Sequence, residues 1–296
     1  MLVQKYKDML AGKSVIRELS EFATARGQEI GYENVFDYSL GNPSVPVPQA
    51  FTDEMIHMLA NRETNELHGY SPSLGITSVR EAVAASLEKR FGLPYRKEHI
   101  FMASGAAGAL AHAFRLVTEP GDEILTFAPH FPEYGPYVNL TGAVLKVVPP
   151  DTESFQIHFG KFQEMLTEKV MAVLVNTPNN PSGVAYSAAT LQRLADLLRQ
   201  KSAEYGHAIY LISDEPYREI IFGGVDAPCV SAFYDDTIMC YSFSKSLSIP
   251  GERIGYVAVN PRCRDAETMV NMCGQISRGT GHNCPPSIIQ LAVAKV

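Results

Sequence analysis

The sequence lacks any long apolar run and any block of basic residues. A membrane-spanning helix needs about 20 consecutive apolar residues, and no stretch of the 296 residues approaches that length. The net charge is −7, and the lysines and arginines are scattered along the chain. These absences give no support to a membrane partner or to a nucleic-acid partner, because both favour concentrated apolar or basic surface.

Paired cysteines, paired histidines and the common nucleotide loops are also missing. The five cysteines form no CxxC pair, and the eight histidines show no HxxxH spacing. Neither GxxxxGK[ST] nor GxGxxG occurs. We therefore expect no metal site, no disulfide framework and no nucleotide-binding loop of these two types. An odd number of unpaired cysteines favours reduced thiols and a cytoplasmic protein.

Continuous apolar runs alternate with amphipathic helical segments from residue 100 onwards. The runs cover 100–103, 123–128, 143–148, 170–176 and 207–213. Helices are predicted at 49–61, at 77–91 with Thr77 or Ser78 as the cap, and at 187–205. Unbroken apolar strands between helices indicate a sheet that is covered on both faces. The pattern predicts an α/β protein, a three-layer αβα arrangement with a mostly parallel central sheet.

Polar residues collect where these predicted strands end. In open parallel sheets the ligand lies beyond the carboxyl ends of the strands. The residues found there are Ser104, Asn180, Asp214, Tyr217 and the segment 242–245, with Phe131 beside them. One architecture brings them together, and the sequence therefore predicts a single site at this edge.

Segment 241–256 holds the most unusual arrangement, a lysine among hydroxyl groups. Lys245 is flanked by Ser242, Ser244 and Ser246, and Arg253 follows eight residues later. We expect Lys245 to lie in a polar turn after a strand, not on a helix face. An amine that forms a Schiff base, beside hydroxyls and a guanidinium that hold a phosphate, meets the two requirements of pyridoxal phosphate. Taken alone, the segment is also compatible with an exposed lysine in a loop.

The other strand-end residues each have a chemical interpretation and an ordinary one. The small residues of 104–108 offer backbone N–H groups to an anion at a helix N-terminus, or simply allow tight packing. Phe131 stacks on a planar ring or is a buried aromatic, and Asn180 donates to a phenolic oxygen or belongs to a turn. Asp214 is costly to bury without a cation such as a protonated pyridine nitrogen, unless it caps a helix. Tyr217 lies three residues further on and is placed to reach the same ring oxygen as Asn180.

Taken together, these segments resemble the pyridoxal-phosphate-dependent aminotransferases of fold type I, class I/II, and aspartate aminotransferase in particular. The order and spacing of the motifs make the resemblance specific. They are GYSPSLG (69–75), SGAAGAL (104–110), PHFPEY (129–134), NTPNNPSG (176–183), SDEPY (213–217) and SFSKSLSIPGERIG (242–255).

The resemblance implies a role for each site residue. Lys245 would be the Schiff-base lysine, and Asp214 would be the partner of the pyridine nitrogen. Asn180 and Tyr217 would together contact the ring oxygen. Phe131 would stack on the ring. The phosphate would be held by Gly105, Ala106, Ala107, Ser242, Ser244 and Arg253. Tyr70 would reach the phosphate of the neighbouring subunit, and Gly41 and Asn180 would lie at the substrate.

The implied activity is ping-pong transamination in amino acid metabolism and biosynthesis. The amino donor would be aspartate-like and the acceptor a 2-oxo acid, and the protein would be a homodimer with shared active sites. Residues 1–45 would form an N-terminal arm and part of a small domain, and residues 46–296 the large cofactor-binding domain. The chain stops within the apolar helical pattern of 291–296, which predicts a truncated chain that largely lacks a C-terminal small domain.

Two other functions stay open at this point. A carbon–sulfur β-lyase of the same fold would use the same lysine and the same phosphate site. A chain without its C-terminal part could also bind the cofactor and be inactive, because no residue present is assigned to the substrate α-carboxylate.

Overall fold

The chain forms two compact units, Met1–Pro46 and Val47–Val296. The structure is a computed structural model that describes residues 2–11, 15–281 and 284–296. The first unit contains α1 (Gln4–Ala11), α2 (Val15–Ile30) and a 3-10 turn at Tyr32–Asn34. Beyond this turn the described backbone of the unit has no helix or strand.

The second unit is built on a seven-stranded sheet in the order β1-β7-β6-β5-β4-β2-β3. The strands are β1 (Ile100–Ala103), β2 (Glu123–Phe127), β3 (Val144–Val148), β4 (Val170–Asn176), β5 (Tyr210–Asp214), β6 (Thr237–Ser242) and β7 (Gly255–Val259). Strand β7 pairs antiparallel with both β1 and β6, and every other pair is parallel. The predicted mostly parallel sheet is confirmed, with β7 as a strand of opposite direction.

Helices pack on both faces of this sheet. They are α3 (Gln49–Asn61), α4 (Thr64–His68), α5 (Thr77–Phe91), α6 (Gly105–Val117), α7 (Tyr134–Asn139), α8 (Phe159–Met165), α9 (Ala188–Tyr205), α10 (Phe243–Ser246), α11 (Ala266–Thr280) and α12 (Ser287–Val293). Short 3-10 turns occur at Lys97–His99, Val230–Ala232 and Pro250–Glu252. None of the helices in the described ranges is both long and apolar enough to cross a bilayer.

Alternate residues of the strands point into two hydrophobic layers, as the pleat of a sheet requires. In β4, Ala172 and Leu174 pack with helices α6, α7 and α11 on one face. Val173 and Val175 pack with α8 and α9 on the other face. On that same face, helices α3, α5 and α12 cover the part of the sheet formed by β1, β6 and β7. This confirms the three-layer αβα arrangement and explains why the strands read as continuous apolar runs.

The carboxyl ends of four strands meet at one edge of the sheet. Strand β4 ends at Asn176, β5 at Asp214 and β6 at Ser242, and these three strands are parallel neighbours. Strand β1 runs in the same direction, because the antiparallel β7 lies between β1 and β6, and it leads through Ser104 into α6. The predicted residues that end or follow these four strands, Ser104, Asn180, Asp214, Tyr217 and the segment 242–245, therefore lie on segments that leave one edge.

Candidate active site

Lys245 lies in the four-residue helix α10, immediately after β6. The expectation of a polar turn without helix is wrong at this position. The Ser242 hydroxyl accepts the backbone N–H of Ser244 at 3.1 Å and so caps one helical turn. The side chain of Lys245 is half-buried, and burial followed by the charge of Arg253 lowers the pKa of its amine.

The two serines beside this lysine bond to each other. The Oγ atoms of Ser242 and Ser244 are 2.7 Å apart, and both residues are buried. The Ser242 Oγ also lies 3.4 Å from the Ile254 carbonyl oxygen on the way into β7. Ser242 and Ser244 thus fix the turn that presents Lys245.

Asp214 ends β5 with a fully buried carboxyl group. The Tyr134 hydroxyl donates to its Oδ2 at 2.6 Å, and Oδ1 has no hydrogen-bond partner among the described residues. Burial raises the pKa of Asp214 to about 7, and the Tyr134 hydrogen bond opposes part of that rise. Asp214 caps no helix, because the backbone after it enters a turn. A buried carboxyl oxygen without a partner is a place for a cationic or hydrogen-bonding ligand.

Asn180 and Tyr217 meet as the sequence predicts. The Asn180 side-chain amide donates to the Tyr217 hydroxyl at 3.2 Å. Burial, with the nearby charge of Asp214, raises the pKa of Tyr217, so the phenol keeps its proton at neutral pH. Asn176 holds this arrangement in place: its Oδ1 accepts the Asn180 N–H at 2.6 Å, and its Nδ2 donates to the Asp214 carbonyl at 2.9 Å.

The predicted phosphate corner lies between Arg253 and the start of α6. Gly105 has a φ of +71°, and a Cβ atom there would lie 2.9 Å from Nη2 of Arg253. The Arg253 Nη1 donates to the Pro250 carbonyl at 2.9 Å, and Nη2 lies 3.5 Å from the Ser104 carbonyl. The first N–H groups of a helix have no intrahelical acceptor, so the assignment of Gly105, Ala106 and Ala107 as donors to a phosphate stays a prediction that this position favours. An open pocket of about 500 Å³ borders this corner and is lined by Ser104, Ala107 and Arg253 among others.

Phe131 lies at the margin of this group, and Tyr70 lies outside it. Phe131 is half-buried, and its ring packs edge-on against Tyr134, with centroids 5.6 Å apart. Tyr70 is fully exposed on the loop between α4 and α5. Gly41 belongs to the first unit, and its role at a substrate stays a prediction.

Tyr134 and Asn176 are site residues that the sequence patterns did not assign. Both stand inside motifs of the resemblance, at 129–134 and 176–183. The hydrogen bond from Tyr134 joins residues 80 positions apart, and that from Asn176 joins residues 38 apart. Local composition carries no signal for such partners, because either side chain alone reads as an ordinary buried residue.

The residues present fit pyridoxal phosphate. A half-buried lysine with a lowered pKa, a buried carboxyl oxygen without a partner and a helix N-terminus beside an arginine each match one part of that molecule. Within the described ranges, no group of three or more His, Cys, Asp or Glu residues is placed to hold a metal ion.

Comparison with known proteins assigns the chain to a family. The family described as aminotransferase class I and II matches residues 33–296. The chain therefore belongs to this family, whose members are transferases that depend on pyridoxal phosphate.

Individual relatives show how much of the length is shared. A probable aspartate/prephenate aminotransferase of Aquifex aeolicus is 31% identical over 242 residues, which are 79% of this chain and 59% of that protein. An aminotransferase from Eubacterium rectale, known as a crystal structure, has a TM-score of 0.95 and 42% identity, and the match covers all of this chain and 75% of the other. Aspartate aminotransferase from Thermotoga maritima has a TM-score of 0.84 and 28% identity, over 96% of this chain and 71% of the other. The chain thus spans between about three fifths and three quarters of these proteins.

Proposed function

We propose that this protein is a pyridoxal-phosphate-dependent aminotransferase that moves an amino group from an aspartate-like amino acid to a 2-oxo acid. The observation that carries the proposal is the pair formed by Lys245 and Asp214. Lys245, just after β6, is a half-buried amine with a lowered pKa. Asp214, at the end of the adjacent strand β5, is a buried carboxyl group with one oxygen that has no partner among the described residues. Family membership supports this assignment.

The residues around the site would bind and orient the cofactor. Asp214 would face the pyridine nitrogen through Oδ1, while Tyr134 holds Oδ2. Tyr217, which is neutral and accepts from Asn180, retains its own proton to donate to the ring oxygen. Arg253 and the N–H groups at the start of α6 would hold the phosphate, and Phe131 would lie against the ring.

Lys245 would perform the proton transfers. When bound, pyridoxal phosphate supplies an electron-accepting ring that stabilises negative charge developing at the substrate Cα. A lowered pKa increases the fraction of the Lys245 amine that is neutral, and the neutral form is the one that acts as a nucleophile and a base. We propose that this amine would take the proton from the substrate Cα and hold it for the proton return that completes the half-reaction. The carboxylate form of Asp214 would favour the protonated ring nitrogen, and the positive charge of that nitrogen would in turn lower the pKa of Asp214.

Aspartate as the donor is proposed from the relatives whose names include aspartate aminotransferase. We further propose a ping-pong order, a cytoplasmic homodimer with shared sites, and a role in amino acid biosynthesis. Residues 1–45 are proposed as an arm with part of a small domain, and 46–296 as the cofactor-binding domain.

A half-reaction experiment tests the proposal. Purified protein is saturated with pyridoxal phosphate and mixed with aspartate in the absence of any 2-oxo acid. We expect the visible band to bleach, with release of one oxaloacetate per site. Addition of 2-oxoglutarate should then restore the band, because the second half-reaction reverses the first.

Two variants sharpen this test. Lys245→Ala should abolish both half-reactions, while Lys161→Ala, which changes an exposed lysine paired with Glu164 on α8, should leave both unchanged. Sustained formation of pyruvate and ammonia from a β-substituted amino acid, without an acceptor and without aspartate turnover, would contradict transamination and indicate a β-lyase.

A further inference from the structure

The loop that carries Tyr70 is held by a buried side chain from the opposite end of the chain. The loop connects α4 to α5 and covers residues 69–76. Gln290 lies in α12 and is completely buried. Its carboxamide reaches both ends of the loop, which are more than 200 residues away in sequence.

All the polar atoms of this carboxamide are used. The Gln290 Oε1 accepts the backbone N–H of Ile76 at 2.9 Å. The Nε2 donates to the Ser71 hydroxyl at 3.2 Å and to the Pro285 carbonyl at 2.7 Å. A buried amide with three partners is expensive to disturb, because any partner it loses is left unpaired out of water.

Further contacts fix the loop on either side of Tyr70. The Ser287 hydroxyl donates to the Gly69 carbonyl at 3.0 Å, and the Ser71 hydroxyl lies 2.8 Å from the Cys284 sulfur. The N–H of Met102 in β1 donates to the Leu74 carbonyl at 3.0 Å. Both neighbours of Tyr70 in sequence are therefore hydrogen-bonded to the segment 284–290, while the Tyr70 ring itself is fully exposed.

A rigid backbone below an exposed aromatic ring is unusual for a surface loop. Loops normally tolerate motion, and a tyrosine on an unanchored loop loses backbone entropy as well as side-chain entropy when it binds. Anchoring the backbone on both sides reduces that cost in advance. Such an arrangement is typical of a residue whose position is preorganised for a contact, and here that residue is Tyr70.

We propose that Gln290 is a positioning residue that fixes the loop 69–76, and that it sets the affinity for pyridoxal phosphate through Tyr70. The inference rests on the proposed function, because Tyr70 is taken to contact the cofactor phosphate of a second copy of this chain. Gln290 contacts neither cofactor nor substrate in this account and acts only on the loop.

The test combines loop protection with a double-mutant cycle. Gln290→Met keeps the length of the side chain and removes its three hydrogen bonds. Ser71→Ala removes one of them with a smaller perturbation. Gln192→Met is the control, because Gln192 is an exposed glutamine that bonds to Asp196 on α9. Hydrogen exchange of the loop amides is measured without cofactor, and affinity is measured by titration with pyridoxal phosphate.

We expect faster exchange at 71–76 in Gln290→Met and Ser71→Ala, and no change there in Gln192→Met. Affinity should weaken about tenfold in Gln290→Met, because the loop that carries Tyr70 is then no longer ordered before the cofactor binds. In a Tyr70→Phe background, the additional loss from Gln290→Met should vanish, because both changes remove the same contact.

Equal exchange in all variants would overturn the proposal, since the loop would then not depend on Gln290. Additive losses of affinity, or an unchanged affinity in Tyr70→Phe, would also overturn it while leaving the proposed function intact. If the unaltered protein forms no lysine-bound cofactor at all, the proposed function and this inference both fail.

Discussion

At the residue scale, the hydroxyl of Tyr134 controls how readily Asp214 carries a charge. Its hydrogen bond to Oδ2 lowers a pKa that burial raises. We predict that Tyr134→Phe raises the pKa of Asp214 further and weakens cofactor affinity about tenfold, the usual effect of one hydrogen bond to a charged group. The affinity should recover at higher pH, where the carboxyl ionises again.

The control for this variant is Tyr205→Phe, which also removes one hydroxyl hydrogen bond. Tyr205 donates to the Leu166 carbonyl at 2.6 Å, between α9 and the end of α8. Both variants should lose stability, but only Tyr134→Phe should lose affinity, as measured by titration with pyridoxal phosphate over a pH series. Equal affinities for the two variants would contradict the role assigned to Tyr134.

Asp214 also gives the cofactor-free protein a pH-dependent stability. Below about pH 4 the carboxyl is protonated in both the folded and the unfolded chain. Between its ordinary pKa of 3.8 and its folded pKa of about 7, the unfolded state releases the proton first, so stability falls as pH rises. We predict that Asp214→Asn removes this loss, so that its gain in stability over the unaltered chain grows from about 1–2 kcal/mol at pH 5 to about 4 kcal/mol above pH 7.

Denaturant unfolding of both cofactor-free proteins at several pH values checks this. Parallel stability profiles for the two would show that the buried carboxyl does not titrate in this range. With saturating cofactor the difference should shrink, because a protonated ring nitrogen beside Oδ1 stabilises the carboxylate.

At the scale of single elements, the start of α6 depends on a residue without a side chain. Gly105 combines a φ of +71° with a close approach to the Arg253 guanidinium. We predict that Gly105→Ala weakens cofactor affinity by at least about tenfold, because the added Cβ displaces Arg253 from the phosphate corner. The strained backbone should also cost about 1 kcal/mol of stability.

Gly92 offers a matched control for the backbone cost. It has a φ of +68° at the end of α5, and a Cβ there would meet no atom within 4 Å. Stability should therefore fall by a similar amount in Gly92→Ala and Gly105→Ala, with affinity lost in the second only. If the same titration shows a loss of affinity in both variants, the loss would result from general destabilisation and not from displacement of Arg253.

Elements were predicted well where local pattern determines them and poorly where distant partners do. The helices at 49–61 and 77–91 and the strand at 100–103 match their predicted bounds. The predicted cap of α5 is wrong: neither Thr77 nor Ser78 caps it, and the helix starts after Ile76, whose N–H is held by Gln290. The short helix that carries Lys245 was missed, because it forms only where Ser242 caps a single turn.

At the scale of the whole molecule, too, some features could be predicted from the sequence and others could not. Apolar strands alternating with helices were sufficient to predict three layers and a mostly parallel sheet, and strand ends located the group around Asp214 and Lys245. The reversed direction of β7 could not be predicted, because its run of buried residues looks the same in either direction. Tyr134 and Asn176 were not assigned either, since their partners come together only in the folded chain.

The proposed shared sites of a homodimer give a prediction for mixed assemblies. Lys245→Ala destroys the lysine of its own site but keeps a normal Tyr70, whereas Tyr70→Ala has the opposite defect. We predict that co-refolding the two variants restores cofactor affinity at one site of each mixed dimer, because that site receives Lys245 and Tyr70 from different copies. Titration of the mixture, with each variant alone as the control, measures this. A mixture that behaves as the sum of its components would contradict shared sites.

The most direct test of the account is to find where pyridoxal phosphate attaches. The protein is incubated with the cofactor, its visible spectrum is recorded, borohydride is added, and the labelled peptide is identified. The account predicts a yellow band and a single label on Lys245, with neither in Lys245→Ala. Absence of the band, or a label spread over exposed lysines and unchanged in Lys245→Ala, would contradict the assignment of Lys245 and the cofactor site built around it.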